Sequence, residues 1–292
     1  MVDPASSDQR PRTELQLLVP GEDDIGESPI WLPEEGRLVW VDMTPGVLNT
    51  WDGSSKTSRA LGGFIGAVSP STRGYVVATA SGFLELLADG GDGRLLSFLD
   101  ADHLMNDAKP GPDGRLWAGS LHKDEAAEQG ALHVLDTDWG VRQVLTGLTL
   151  PNGLGWDREG RIFYLNDSVT GETFAFDFDP ASGSISHKRV VRRFRESEGL
   201  PDGLAVDMDG CLWIALWGGS RIVRISPEGD LLREIGSEAS QPASCAFGGP
   251  GLRELFVTTA QYGLDSPRTA DGSLYRLADA GVSGVPVGSF RG

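Results

Sequence analysis

Long apolar runs are absent. No stretch of the sequence approaches the ~20 apolar residues that a membrane-spanning helix needs. The first residues, Met1 to Thr13, are polar and lack the apolar core of a secretory leader. A cytoplasmic protein with no membrane partner is the expectation. Cysteine is scarce: Cys211 and Cys245 lie in apolar strand-like runs and read as buried free thiols, not as a disulfide framework. Positive charge is short as well, with 25 Lys and Arg against 42 Asp and Glu and a formal net charge of −17. Nucleic acid requires clustered basic side chains on its phosphates, so it is not an expected partner. An anionic membrane surface is disfavoured for the same reason. Most of this charge serves solubility, although acids focused in one cleft would also attract a cation. The four histidines, His103, His122, His133 and His187, show no H-E-x-x-H or related spacing, which argues against a His-rich zinc site. A G-x-S-x-G elbow, a Walker A loop and a glycine-rich dinucleotide fingerprint are missing too.

Glycine and proline are plentiful, with 40 and 17 copies in 292 residues. Both punctuate turns, so many short strands are expected. One unit recurs, a turn ending in Gly followed by a short alternating apolar strand. It reads PEEGRLVWVDM around Gly36, PSTRGYVVATA around Gly74 and GPDGRLWAGSL around Gly114. It returns as DREGRIFYLND around Gly160, DMDGCLWIALW around Gly210 and, more weakly, GGPGLRELFVTTA around Gly251. An acidic or basic residue followed by Gly before an alternating strand signals a hairpin. The spacing of roughly 40 to 50 residues is the period of a four-stranded propeller blade. A lone blade cannot bury both faces, so blades stack around an axis. The sequence therefore predicts an all-β fold, a six-bladed β-propeller with four-stranded blades. It spans residues 14–292 as one domain, after a disordered tail over residues 1–13. The alternating run ELQLLVP precedes the first unit and has no blade of its own, so it is expected to close the ring on the last blade. Trp31, Trp117, Trp156 and Trp213 fall in or beside repeat strands and read as blade-packing residues.

Registering the units on their turn glycines exposes a polar position. Asn106, Asn152 and Asp202 each lie eight residues before their turn glycine, and Glu27 lies nine before Gly36. The second unit has Gly66 there, and the sixth falls near Ser244. Asn and Asp also open strands through local turns with no ligand involved, and for any one of these residues that is the ordinary explanation. Four at equivalent positions, from different blades, converge at one mouth of the axis. Carboxylates and amides gathered in a partly dry channel need a neutralising partner. An oxygen-liganded cation supplies one. Carboxylate and amide oxygens suit Ca²⁺, Mg²⁺ or Mn²⁺.

The segments GESPIW, ND followed by GRLWAGS, LPNGLGWD, LPDGLAVD, LWIALWGGSRIVRISP and SCAFGGPGLRELFVTTA occur in order along the chain. Together they resemble the regucalcin (senescence marker protein), gluconolactonase and luciferin-regenerating enzyme family, from about residue 14 to the end. The resemblance implies a six-bladed propeller, one divalent cation on the axis (Ca, Mg, Mn or Zn) and hydrolysis of sugar lactones. Carried over by position, it implies Glu27, Asn152 and Asp202 as metal ligands, Asp202 also as catalytic base, and Asn106 as a substrate contact. An acidic substrate contact would fall on Asp124, with Glu125 beside it, and His103 would line the mouth. The chain departs from the animal lactonases at Leu104, where they carry an Arg that contacts substrate, and in a shorter loop from His122 to Gln129. The expected activity is metal-dependent opening of an aldonolactone, such as a glucono-, arabino- or xylonolactone, to the aldonic acid. A phosphotriesterase-type hydrolase and a non-enzymatic calcium-binding propeller are the alternatives. The expected partner is a small sugar lactone, and the sequence carries no signal for an oligomeric state.

Overall fold

A computed structural model describes residues 14–292 of the chain, so the predicted tail over residues 1–13 lies outside the described residues. Six four-stranded antiparallel sheets follow one another along the chain. In five of them the strands pair in the order in which they occur. The sixth is assembled from both ends of the chain. Its inner strands, Gln241–Gly248 and Glu254–Ala260, are followed by Leu274–Leu277, and the N-terminal strand Gln16–Val19 pairs antiparallel with that last one. The ring thus closes between blade 6 and the start of blade 1, as the alternation of ELQLLVP predicts. Among the described residues no α-helix occurs, and no helix is long and apolar enough to cross a membrane.

The innermost strands of blades 1 to 6 are Gly26–Leu32, Ile65–Ser71, His103–Pro110, Pro151–Trp156, Leu200–Val206 and Gln241–Gly248. Those of blades 4 and 6 are buried along their whole length. The outermost strands, such as Lys56–Ala60 and Asp92–Ser97, are largely exposed and correspondingly polar. This gradient explains why only the first two strands of each repeat stand out in the sequence: they are packed on both faces and read as short apolar runs. The hairpin between them turns on the repeat glycine. Gly36, Gly114, Gly160 and Gly210 have φ between 61° and 81°, a region that a Cβ disfavours.

Aromatic side chains fill the seams between blades. Trp213 of blade 5 meets Phe247 of blade 6 edge-on at 5.7 Å, Trp117 of blade 3 meets Trp156 of blade 4 at 6.0 Å, and Trp31 of blade 1 stacks on Phe256 of blade 6 at 5.5 Å. Each such ring joins area burial to a favourable pair geometry. Both cysteines are buried and unpaired, as expected. Burial pushes the Cys245 thiol up to about 12.

Two features of this architecture position the axis. The inner strands crowd one another: a Cβ at Gly203 would stand 2.0 Å from Ser244 Oγ, and one at Gly153 would stand 2.3 Å from the carbonyl oxygen of Asp202. At the other end, the last residues of the chain run across the face of the ring. Val285 N–H donates to Val206 O (2.9 Å), Phe290 N–H to Pro70 O (2.9 Å) and Arg291 N–H to Gly114 O (3.0 Å). Phe290 is fully buried. This strap forms one wall of a cavity of about 340 Å³ whose lining includes Trp31, Lys109, Trp156, Phe247 and Val287.

Candidate functional site

Every inner strand breaks register near its beginning. The breaks fall between Glu27 and Ile30, Ile65 and Ala67, Met105 and Ala108, Pro151 and Leu154, Pro201 and Leu204, and Pro242 and Ser244. A β-bulge interrupts the alternation of side chains and re-aims the residues within it. Asn106, Asn152 and Asp202 lie in these bulges and Glu27 at the edge of one. All four are buried, at 8%, 8%, 5% and 4% exposure. The repeat register therefore identified a structurally equivalent set at one end of the axis.

Ser28 shows how the first blade is held. Its φ is 51°, in the left-handed region that a non-glycine residue seldom enters. Its N–H donates to Glu27 Oε2 at 2.7 Å. Its hydroxyl both donates to Val68 O (3.1 Å) and accepts from Val68 N–H (3.2 Å), which ties the bulge to blade 2. The strain is compensated by three hydrogen bonds and fixes the Glu27 carboxylate.

The amides are held just as firmly. Asn106 Nδ2 donates to Pro151 O at 3.1 Å, next to Asn152. Asn152 Nδ2 donates to Ser168 Oγ at 3.2 Å, and that hydroxyl donates to Pro201 O at 2.7 Å, next to Asp202. Asn166 Nδ2 donates to Asp202 O at 2.6 Å. A chain of polar contacts thus runs from blade 3 through blade 4 to blade 5. With their nitrogens engaged, Asn106 and Asn152 keep their side-chain oxygens as acceptors.

Three carboxylates share this buried region. Burial pushes Glu27 up to about 8, the Asp107 charge adding to the rise while Ser28 N–H, the Ser244 hydroxyl and Lys109 oppose it. Asp202 is held well above the usual carboxylate range by burial, then by Glu27 and Asp107. Asp107 is raised by burial, with Lys109 pulling it back. Asp202 Oδ1 is buried and has no hydrogen-bond partner among the described residues. An orphaned carboxylate oxygen beside other acids is costly unless something cationic meets it.

The donor set fits a hard divalent cation: the oxygens of Glu27, Asn152 and Asp202 are of the type Ca²⁺, Mg²⁺ and Mn²⁺ take. No group of three His, Cys, Asp or Glu side chains in metal-binding proximity occurs among the described residues. The predicted set includes only two such side chains, its third member being the Asn152 amide. The histidines are engaged elsewhere. His103 Nδ1 lies 2.6 Å from Asp100 Oδ1 and His133 Nε2 lies 2.8 Å from Ser120 Oγ, with burial bringing His133 down to about 4.

The remaining predicted contacts sit together at the same end of blade 3. Leu104, half-buried, lies two residues before Asn106 and pairs with Leu121, while His103 pairs with His122 and meets its ring edge-on at 5.4 Å. Asp124 is exposed in the turn that follows, its N–H donating to His122 Nδ1 at 3.2 Å. Sequence reasoning missed Asp107 and Lys109, and it placed Ser244 near the shared register position without giving it a role. Strict alternation would send Asp107 away from the face that Asn106 occupies, and only the bulge between Met105 and Ala108 aligns both with the axis. The adjacent Asn-Asp pair was the available signal.

Comparison with known proteins bears on the family and the fold. The profile of a family described as SMP-30/Gluconolactonase/LRE-like region matches residues 25–261. A putative sugar lactone lactonase, YvrE, of Bacillus subtilis (strain 168) is 36% identical over 243 residues, covering 81% of this chain and 83% of its own. A regucalcin of Xenopus laevis is 31% identical over 294 residues, covering 95% and 98%. Among solved structures, a luciferin-regenerating enzyme superposes with a TM-score of 0.84 at 28% identity, over 94% of this chain and 98% of that one.

Proposed function

Because the chain belongs to the SMP-30/gluconolactonase/LRE-like family, we propose that it is a metal-dependent hydrolase that opens a sugar lactone to its aldonic acid. The observation that carries this reading is the buried Asp202 Oδ1 with no partner, set among Glu27, Asp107 and Asn152. Glu27, Asn152 and Asp202 would hold one divalent cation. When bound there, the cation would supply Lewis-acid polarisation of the lactone carbonyl and stabilise the developing negative charge. Asp202, whose buried Oδ1 has no hydrogen-bond partner among the described residues, accepts the proton of the attacking water. Glu27 balances charge and is aimed by Ser28. Asn106 offers its side-chain oxygen to a sugar hydroxyl. Asp124 reaches the substrate from the neighbouring turn, with His103 and Leu104 lining the mouth. The test is a panel of aldonolactones and phosphotriesters, each assayed with and without chelator. Chelator-sensitive lactone turnover is expected. Turnover of phosphotriesters alone, or cation binding with no turnover of either class, would sink the reading.

The substrate preference should depend on Leu104. Leu offers no hydrogen bond, whereas an Arg there could donate up to five. A charged hydrogen bond to a sugar hydroxyl is worth roughly 1.5–3 kcal/mol. Leu104→Arg is therefore expected to reorder the ranking of lactones by kcat/KM, and an unchanged ranking would show that position 104 does not face the substrate.

Cation uptake should also be coupled to protons. With its carboxyl pushed up to about 8, Glu27 keeps its proton at neutral pH in the metal-free protein, and Asp202 is raised in the same direction. A ligand must release its proton to bind, so affinity is expected to tighten as pH rises toward about 8. The stability of the metal-free protein runs the other way. The unfolded chain ionises Glu27 near 4.5 and the folded one near 8, so stability is full below the lower value and falls as pH rises between the two. Calorimetric titration at several pH values, in buffers of different ionisation enthalpy, checks both. A pH-independent affinity with no proton release would contradict the assignment.

A further inference from the structure

The six inner strands carry three carboxylates, Glu27, Asp107 and Asp202, and among their lysines and arginines Lys109 alone. In a chain with 42 acidic and 25 basic residues, a lone ammonium next to the axis calls for an explanation. Lys109 is half-buried on the inner strand of blade 3, two residues beyond Asp107. Its Nζ donates to Leu204 O of blade 5 at 2.8 Å, so it reaches past blade 4 to the strand that carries Asp202. Its charge acts on both Glu27 and Asp107, drawing each downward. The same residue also lines the cavity that the C-terminal strap borders. It therefore stands between the carboxylate end of the axis and the end that the strap crosses.

We infer that Lys109 is the fixed counter-charge of the axial site, setting its net charge so that a divalent cation, and not a trivalent one, brings it to neutrality. The inference rests on the reading of Glu27, Asn152 and Asp202 as a cation site. With all three acids ionised and Lys109 protonated, the axis carries two negative charges, which a dication cancels. Without Lys109 it would carry three, and a dication would leave one buried charge uncompensated, at a cost that low-dielectric surroundings make large. A lysine suits this role because its ammonium is a compact charge with three donors, one of which can anchor the backbone while the charge acts through space. Lys109 is a positioning and charge-setting residue; it does not touch the reacting atoms.

A purely mechanical role, tying blade 3 to blade 5, makes a different prediction from a charge role, and ion preference separates them. Calcium and terbium(III) are titrated against the full-length protein and three variants, Lys109→Met, Asp107→Asn and the double variant. Lys109→Met is expected to shift the preference toward terbium by about 10-fold or more, the scale of one unit-charge interaction in partly buried surroundings. Asp107→Asn should shift it toward calcium by a similar factor. The double variant restores the net charge and should return to within about threefold of the wild-type ratio. If Lys109→Met does not fold, the step from Asp107→Asn to the double variant measures the same shift. Affinities that fall by one common factor for both ions, or a double variant whose ratio stays at that of Asp107→Asn, would overturn the inference while leaving the cation site intact. A wild-type protein that takes up no calcium would remove the cation reading and this inference with it.

Discussion

Asp202→Asn is expected to lower lactone turnover by about 10²–10⁴-fold at saturating cation, the usual contribution of a general base. The substitution keeps an oxygen ligand and nearly the same volume. Asp202 is buried in a bulge whose backbone oxygen is held by Asn166, so the ring should remain folded. What is lost is the acceptor for the proton of the attacking water. Asn cannot take it near neutral pH. The change also removes one negative charge from the axis, so cation occupancy has to be measured beside turnover. A fully loaded variant that turns over lactone at close to the normal rate would reduce Asp202 to a ligand. The proton acceptor would then be another group, with the buried Asp107 first in line.

Glu27→Gln should produce the largest loss of cation. Removing a partner that merely orients a ligand typically costs about 10–100-fold in affinity, and a direct carboxylate ligand should cost at least that. The same substitution has an opposite effect on the metal-free protein. Glu27 is desolvated and faces Asp107, and its carboxyl is pushed up to about 8. Above that pH the wild-type protein must carry the buried charge, and the Gln variant need not. In chelator at pH 9 the variant is expected to melt higher than wild type, and in excess cation lower. Both melting curves come from one calorimetric experiment. A variant with wild-type cation content after dialysis would remove Glu27 from the ligand set.

The two variants probe residues that the repeat made visible, and the reason is geometric. In a propeller every inner strand begins at the same mouth, so one register position in the sequence is one ring of points in space. Counting back from Gly114, Gly160 and Gly210 along the sequence therefore reaches Asn106, Asn152 and Asp202. Glu27 lies one residue further from its glycine, and it likewise sits at the edge of the bulge instead of inside it. The number of blades was legible for a related reason. Each copy has to solve the same local problem, a hairpin turning at positive φ followed by a doubly buried strand, and glycine and apolar residues record that solution.

Other parts were decided only by tertiary structure. Alternation along a strand has a period of two, and it places Asp107 on the face opposite Asn106 until the bulge between Met105 and Ala108 brings both to the axis. Ser28 reads as an ordinary strand residue, yet it adopts a left-handed conformation because Val68, 40 residues away, provides both halves of its hydroxyl's bonding. Lys109 meets Leu204 across 95 residues of chain, and the C-terminal strap, from Val285 to Arg291, finds its partners on blades 2, 3 and 5. Local sequence determines turns, strand runs and the repeat, because those depend on neighbours along the chain. The charge balance on the axis and the course of the strap across its far end depend on which blades face one another, and that is settled only when the ring is complete.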